Sequence, residues 1–356
     1  MTAADSSGSA PARCRVSIVI KAFNEEENIC AAIESSLLAV AEVGGEVVLA
    51  DSYSTDRTVE LASRYPIRIV QLAHPHERCC GAGPQLGYQH SLGEYVYILD
   101  GDMRMLRGFL APALAFLARH PEAAGVGGRL VELNTESLEY RERGLRAAAH
   151  LSPGEVDRLD GGGLYRRRAI EESGYFSDRN LHSYEEFDLG VRLRALGWKL
   201  WRLPVDAVTH YGHDASPYQL LMRRWRTGYV CGLGELVRAA VGQPRMRLVL
   251  RDMRELRIYS AVLAWWLALL SIPLWPLPAP ARLACFTALA STPVLVMLWR
   301  KRSLSRAMYS VASWCFNAAG LVRGLLHRRR APRGPIPSRI LREPTQTIEP
   351  LRERFA

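Results

Sequence analysis

The sequence has no Cys-x-x-Cys pair, no internal repeat and no apolar core in its opening stretch, MTAADSSGSAPARCR. Each absence removes a class. The seven cysteines are odd in number, and Cys79 and Cys80 are adjacent, so neither zinc spacing nor a disulfide framework is supported and a reducing compartment is expected. Without an apolar segment near its start the chain shows no secretory signal, and its first domain is expected to stay in the cytoplasm. A mean hydropathy of −0.06 with 48% hydrophobic residues fits neither a disordered chain nor a many-span transporter. The 356 residues allow one large α/β domain plus a modest membrane part.

The net charge of +10 raises the question of nucleic acid. The basic residues, however, crowd around apolar segments of the C-terminal third, as Arg245, Arg247, Arg251, Arg254 and Arg257, then Arg300, Lys301 and Arg302. Positive charge beside apolar segments reads as attraction to anionic lipid and as a topology signal, so no nucleic-acid partner is expected.

Along the first hundred residues, short apolar runs end in polar residues. Val16–Ile20 leads to Lys21-Ala22-Phe23-Asn24, Glu46–Ala50 ends at Asp51, Ile67–Leu72 follows, and Tyr95–Leu99 ends at Asp100-Gly101-Asp102. Helical periodicity separates the runs: Ile29, Ile33 and Leu37 recur after Glu25-Glu26-Glu27, where Asn24 is placed to cap a helix. Strand and helix alternating four times predict a mostly parallel sheet with helices on both faces. Ligands of such sheets bind beyond the carboxyl ends of the strands, where Asn24, Asp51 and Asp100 fall. A further strand is expected over Val126–Leu133 and an amphipathic helix over Leu189–Leu196, after the acidic run Glu185-Glu186-Phe187-Asp188.

Ile258–Leu277 and Leu283–Trp299 carry no charge, and the hydrocarbon core of a bilayer needs about 20 apolar residues in helix. With Arg-rich outer flanks, the two segments predict a hairpin over about 258–299 with both ends cytoplasmic. A third segment, 304–326, contains Asn317 and Arg323 and reads as an interfacial helix. The resulting division is a leader over 1–14, a catalytic domain over 15–240, a membrane region over 241–327 and a flexible basic tail over 328–356.

Two carboxylates one residue apart at a strand end, Asp100 and Asp102, suit a hard divalent cation that also binds phosphate oxygens. In order, the segments Ile18–Glu26, Ala50–Thr58 and Gly93–Asp102 resemble the family 2 glycosyltransferases, from about Val16 to Gly228. The resemblance implies the GT-A nucleotide-diphospho-sugar transferase fold, joined here to C-terminal transmembrane helices. It further implies a donor pocket lined by Ala22, Asn24 and Glu25, a base-reading Asp51, and donor and metal contacts from Asp100, Gly101 and Asp102. Asp51 and Asp56 have the rival reading of helix caps, favoured for Asp56.

Glu185-Glu186-Phe187-Asp188-Leu189 resembles the family's Glu-Asp-x-Asp-Leu segment, which makes Glu186 the expected catalytic base, with Glu185 beside it and Asp188 structural. Acids at a helix start also simply stabilise the helix. Gly162 and Gly163 fall in a loop the family uses near the acceptor, or serve a turn. His210 stands where many such enzymes place a histidine on the metal or diphosphate; His213 is a second candidate, and either can be structural. Arg223-Arg224-Trp225 partly resembles the Gln-x-x-Arg-Trp motif of processive synthases, with Arg224 on the diphosphate and Trp225 on a sugar. Leu221 in place of the Gln argues against processivity, and snorkelling arginines of an interfacial helix are the rival. Two departures, Tyr53 for the usual Gly and Pro84-Gln85 for the usual Arg-Asn, lie near the donor.

The expected protein is thus an inverting, Mn2+- or Mg2+-dependent glycosyltransferase of a cytoplasmic membrane. It takes a UDP-, GDP- or dTDP-sugar donor and a lipid-linked or glycan acceptor, in exopolysaccharide or cell-envelope assembly. Rival readings are a polyprenyl-phosphate sugar synthase and a non-catalytic membrane scaffold.

Overall fold

The computed structural model describes residues 14–133, 149–210 and 216–344. It falls into two compact units: Met1–Arg179, Glu186–His213 and Ala331–Ala356 form the first, and Asn180–Glu185 with Asp214–Arg330 form the second. The first unit thus stops near 213, where a boundary at 240 was expected, and the chain returns to it at its C-terminus.

The first unit is built on ten strands: β1 (Val16–Ala22), β2 (Gly45–Asp51), β3 (Arg68–Leu72), β4 (Tyr95–Asp100), β5 (Met103–Met105), β6 (Ala123–Glu132), β7 (Gly154–Val156), β8 (Gly163–Arg166), β9 (Lys199–His210) and β10 (Ser338–Arg342). Their order is β10-β3-β2-β1-β4-β8-β6-β9-β5, with β7 paired to β9. The β3-β2-β1-β4 half is parallel, and β8 runs antiparallel to β4 and β6. Helices α1 (Ile29–Val43), α2 (Thr58–Ala62), α3 (Ala82–Gln89), α4 (Leu110–Arg119), α5 (Arg167–Ser173) and α6 (Glu185–Ala195) connect the strands or flank them.

Side-chain alternation gives the sheet two cores. Ile18 and Ile20 of β1 with Tyr97 and Leu99 of β4 pack with Ile29, Ile33, Leu110 and Leu114 of α1 and α4. Val19, Val96 and Ile98 point the other way, toward Leu86, Ile170, Leu189 and Leu193 of α3, α5 and α6. Ile18 and Ile20 are 0% exposed, and burying each stabilises the fold by about 1.5–3 kcal/mol.

Two local expectations are corrected. Asn24 caps no helix: its backbone is left-handed (φ 55°), and α1 begins only at Ile29. The segment expected to be a flexible tail supplies β10, antiparallel to β3, which satisfies the N–H and C=O groups of an otherwise open edge. Arg68 helps hold it through Glu343, at 3.0 Å.

The second unit is helical: α7 (Pro217–Arg226), α8 (Gly232–Ala240), α9 (Met246–Asp252), α10 (Glu255–Ser271), α11 (Ala279–Lys301) and α12 (Leu304–Leu326). Two segments, Glu255–Leu274 and Ala279–Lys301, are long and apolar enough to cross a membrane, and little of either is covered by protein. The Trp265 indole N–H donates to the Leu289 carbonyl at 3.0 Å, tying the two together. The third helix, α12, packs closely on the unit through glycines: Gly234 against Leu321, Gly320 against Val230 and Gly324 against Cys231, places where a Cβ would meet backbone.

Candidate functional site

The site is assembled where the parallel strands end. The register aligns Ala22 with Asp51 and Lys21 with Asp100, so β1, β2 and β4 deliver these residues side by side. The Gly101 N–H donates to the Lys21 carbonyl at 3.0 Å. A Cβ at Gly101 would lie 2.9 Å from Glu25 Cγ and 3.2 Å from Ala22 Cβ, so the Asp100-Gly101-Asp102 turn sits directly on the β1 end.

Asn24 earns its left-handed backbone by clamping the turn after β2. Its carboxamide oxygen accepts the Thr55 N–H at 2.8 Å, and its own N–H donates to the Ser54 hydroxyl at 2.9 Å. Asp51 is 0% exposed; its Oδ2 accepts from the Ser54 N–H at 3.0 Å and from the Gln71 amide at 2.8 Å. Its Oδ1 is buried with no hydrogen-bond partner. A buried carboxylate oxygen without a donor is unfavourable unless a ligand N–H fills the place. Asp56, favoured as a cap, stands one residue before the α2 N-cap Arg57 and braces the helix start, accepting from the Thr58 N–H at 3.0 Å and hydroxyl at 2.6 Å.

Tyr53, at the position where a glycine was expected, has φ 68°, a backbone region that favours glycine. Gln85 is occupied structurally, its oxygen accepting the Phe176 and Ser177 N–H groups at 2.9 and 3.0 Å.

Around the turn the acids crowd. Burial, then the charge of Asp102, with smaller contributions from Asp100 and Asp56, push the Glu25 carboxyl up to about 7 against the hydrogen bond from Asn28. Such crowding is what a bound dication would relieve, and two strand-end carboxylates with a neighbouring imidazole are a suitable donor set. That imidazole is His210. Its Nε2 lies 3.4 Å from Asp102 Oδ2 and its Nδ1 2.6 Å from Glu132 Oε2. Burial alone would lower the imidazole pKa, but the hydrogen bonds and charges of Asp102 and Glu132 outweigh it and raise it to about 9.

Lys21 links this cluster to the helix that carries the acidic run. Its ammonium lies 2.9 Å from Asp100 Oδ1 and 4.0 Å from Glu186 Oε1. Glu186 stands in the first turn of α6 with its side chain 34% exposed, whereas Glu185 is 8% exposed. Asp188 is spent structurally, pairing with Arg192 at 2.8 Å in the interior.

Neither Lys21 nor Glu132 was expected in the site from sequence. Glu132 closes a strand end, as the other acids do, and could have been found by that rule. Gly162 (φ 102°) and Gly163 meet packing demands: a Cβ would lie 2.7 Å from the Tyr97 hydroxyl at the first and 2.6 Å from Leu159 at the second. Arg224 and Trp225 belong to the second unit, where Trp225 meets Phe316 edge-on at 5.5 Å and the Arg323 guanidinium at 5.5 Å. Arg224 lies over Tyr229 at 5.4 Å. His213 lies outside the described residues.

The fold is that of the GT-A nucleotide-sugar transferases. A mannosyltransferase from Pyrobaculum calidifontis, PcManGT, solved with GDP-Man and Mn2+, aligns with a TM-score of 0.56 at 19% identity, covering 88% of each chain. Residues 17–174 match glycosyl transferase family 2, so the chain carries a domain of that family. It is 27% identical over 218 residues to the putative glycosyltransferase EpsE of Bacillus subtilis, covering 58% of this chain and 75% of EpsE. It is also 32% identical over 112 residues to the uncharacterised protein Rv1520 of Mycobacterium tuberculosis, covering 30% of this chain and 32% of that one.

Proposed function

We infer that this family 2 glycosyltransferase moves a sugar from a nucleoside-diphosphate donor to a hydroxyl of a lipid-linked acceptor, with inversion, at the cytoplasmic face of a membrane. The observation that carries the reading is the juxtaposition of Asp51, Asp100, Asp102 and Glu186 from three separate chain segments, with Lys21 of a fourth between Glu186 and Asp100. The unpartnered Asp51 Oδ1 offers an acceptor to a nucleobase N–H. Asp102 and Asp100, with His210 behind Asp102, would hold Mn2+ or Mg2+. When bound, such an ion offsets the charge that builds on the departing diphosphate. Glu186 accepts the proton of the acceptor hydroxyl. The hydroxyl oxygen forms a bond to the anomeric carbon as the bond to the nucleoside diphosphate breaks, and the diphosphate leaves with the electron pair. Binding of nucleotide sugar in the complexed PcManGT, and the description of EpsE as a glycosyltransferase, support donor use of this class.

The membrane part of the reading rests on the two apolar helices and their arginine flanks. A membrane-attached transferase reaches a polyprenyl-linked acceptor without extracting it, which favours exopolysaccharide or cell-envelope assembly.

The test is turnover by the detergent-purified full chain with UDP-, GDP- and dTDP-sugars, Mn2+ and a membrane lipid extract, read by mass spectrometry of the lipids. A new glycolipid formed by wild type but reduced roughly 100-fold or more in Glu186→Gln fits a hydroxyl acceptor. Full activity in Glu186→Gln would overturn the base assignment and move the acceptor to an already ionised polyprenyl phosphate. No product with any donor would overturn the transfer itself.

A further inference from the structure

Within the second unit, three residues far apart in the chain meet through their side chains. Glu235 lies in the first turn of α8 and is 2% exposed. Its Oε1 is 2.9 Å from His182 Nδ1 and 2.6 Å from His327 Nδ1. Its Oε2 accepts the His182 backbone N–H at 2.9 Å. The two imidazole centroids are 5.7 Å apart, and the candidate ligand atoms, one from each residue, lie within 4.8 Å of one another.

We propose that His182, Glu235 and His327 form a structural transition-metal site, for which Zn2+ is the fitting ion, separate from the strand-end acids. Three arguments support it. A carboxylate this deeply buried needs compensating charge or donors close by, and its two side-chain partners here are both imidazoles. Two imidazoles and one carboxylate form a borderline-soft set that suits Zn2+ better than Mg2+ or Mn2+. The carboxylate is also oriented from outside: the bond from His182 N–H to Oε2 leaves Oε1 facing both rings, the arrangement that outer contacts impose on metal ligands. Tetrahedral Zn2+ with ligand bonds near 2.0–2.1 Å requires donor separations of about 3.3 Å, so Oε1 would move away by about 0.4 Å from the His182 nitrogen and about 0.7 Å from the His327 nitrogen.

The three ligands come from the segment that leads into α6, from α8 and from the residue just after α12. An ion here would pin the chain four positions before Glu186 to two helices of its own unit. Gly228, with φ 78°, leaves room for the ring: a Cβ there would lie 3.0 Å from His182. The alternative chemistry, one protonated histidine balancing Glu235, needs no metal, and the experiment separates the two.

The test is metal analysis of tag-free full-length protein in detergent, after Zn2+ loading and desalting. Asp102→Ala/His210→Ala serves as background, so that the strand-end acids cannot supply the ligands. The proposal expects one equivalent of tightly held Zn2+ in this background and its loss on adding Glu235→Gln or His327→Ala. Zinc X-ray absorption of the background protein is expected to show two imidazoles, a readout that stands even if a ligand variant fails to fold. No retained zinc, or the same zinc in folded His327→Ala, or a spectrum without imidazole, would overturn it.

Discussion

The two units hold their acids in opposite ways. In the sheet unit Glu25 lies within the charges of Asp102, Asp100 and Asp56, and with its burial these drive it up to about 7. In the helical unit Glu235 is 2% exposed and its carboxylate meets two imidazoles and a backbone N–H. Acids that repel one another are relieved when a cation comes between them. A buried acid between two imidazoles holds a structure together, whether a proton or a metal ion is shared among them.

Several substitutions break or sharpen that contrast. The largest effect is expected from Asp102→Ala, which should lower sugar transfer about a thousandfold, the several kcal/mol that a Lewis-acidic ion supplies. Initial rates across a Mn2+ series check this, and the residual activity should no longer respond to the ion. Glu235→Ala should act on stability: it leaves the His182 N–H and two imidazoles without their carboxylate partner and should cost about 3 kcal/mol, read as a lowered melting temperature in detergent.

Glu25→Gln should do the reverse. Because the folded pKa of Glu25 lies near 7, above its ordinary 4.5, ionisation opposes folding at high pH. The variant should be more stable than wild type at pH 8 in EDTA, by about 1–2 kcal/mol after allowing for solvent screening. The gain should shrink as pH falls through 7 and vanish below 4.5, where both states are protonated. An equal gain at every pH would remove charge repulsion from the account. The smallest effect is Tyr53→Asn, which relieves a left-handed backbone by about 1 kcal/mol. Thermal unfolding of the nucleotide-free protein measures it.

Much of the donor side was legible because strand ends write themselves into sequence. An apolar run that stops at an acid gives both the strand and the direction of its carboxyl end, as at Asp51 and Asp100. Glu186 was singled out by the resemblance of Glu185–Leu189 to the family's acidic segment. Lys21 and Glu132 act across strands, through register with Asp100 and His210, and nothing local announces which strands become neighbours. Asn24 reads as a cap by residue type, but the turn after β2 competes for its side chain and wins. Strand β10 escaped because Ser338–Arg342 holds two apolar residues among arginines, too weak a pattern to separate from a tail. The meeting of His182, Glu235 and His327 spans more than 140 positions and exists only in the fold.

The most direct measurement is calorimetric titration of the detergent-purified chain with a nucleoside diphosphate, with and without Mn2+. Wild type should bind more tightly with the ion present, and Asp102→Ala should bind equally in both conditions. The account is contradicted if Mn2+ strengthens binding as much in the variant as in wild type, for the cation would then sit somewhere other than the strand-end acids.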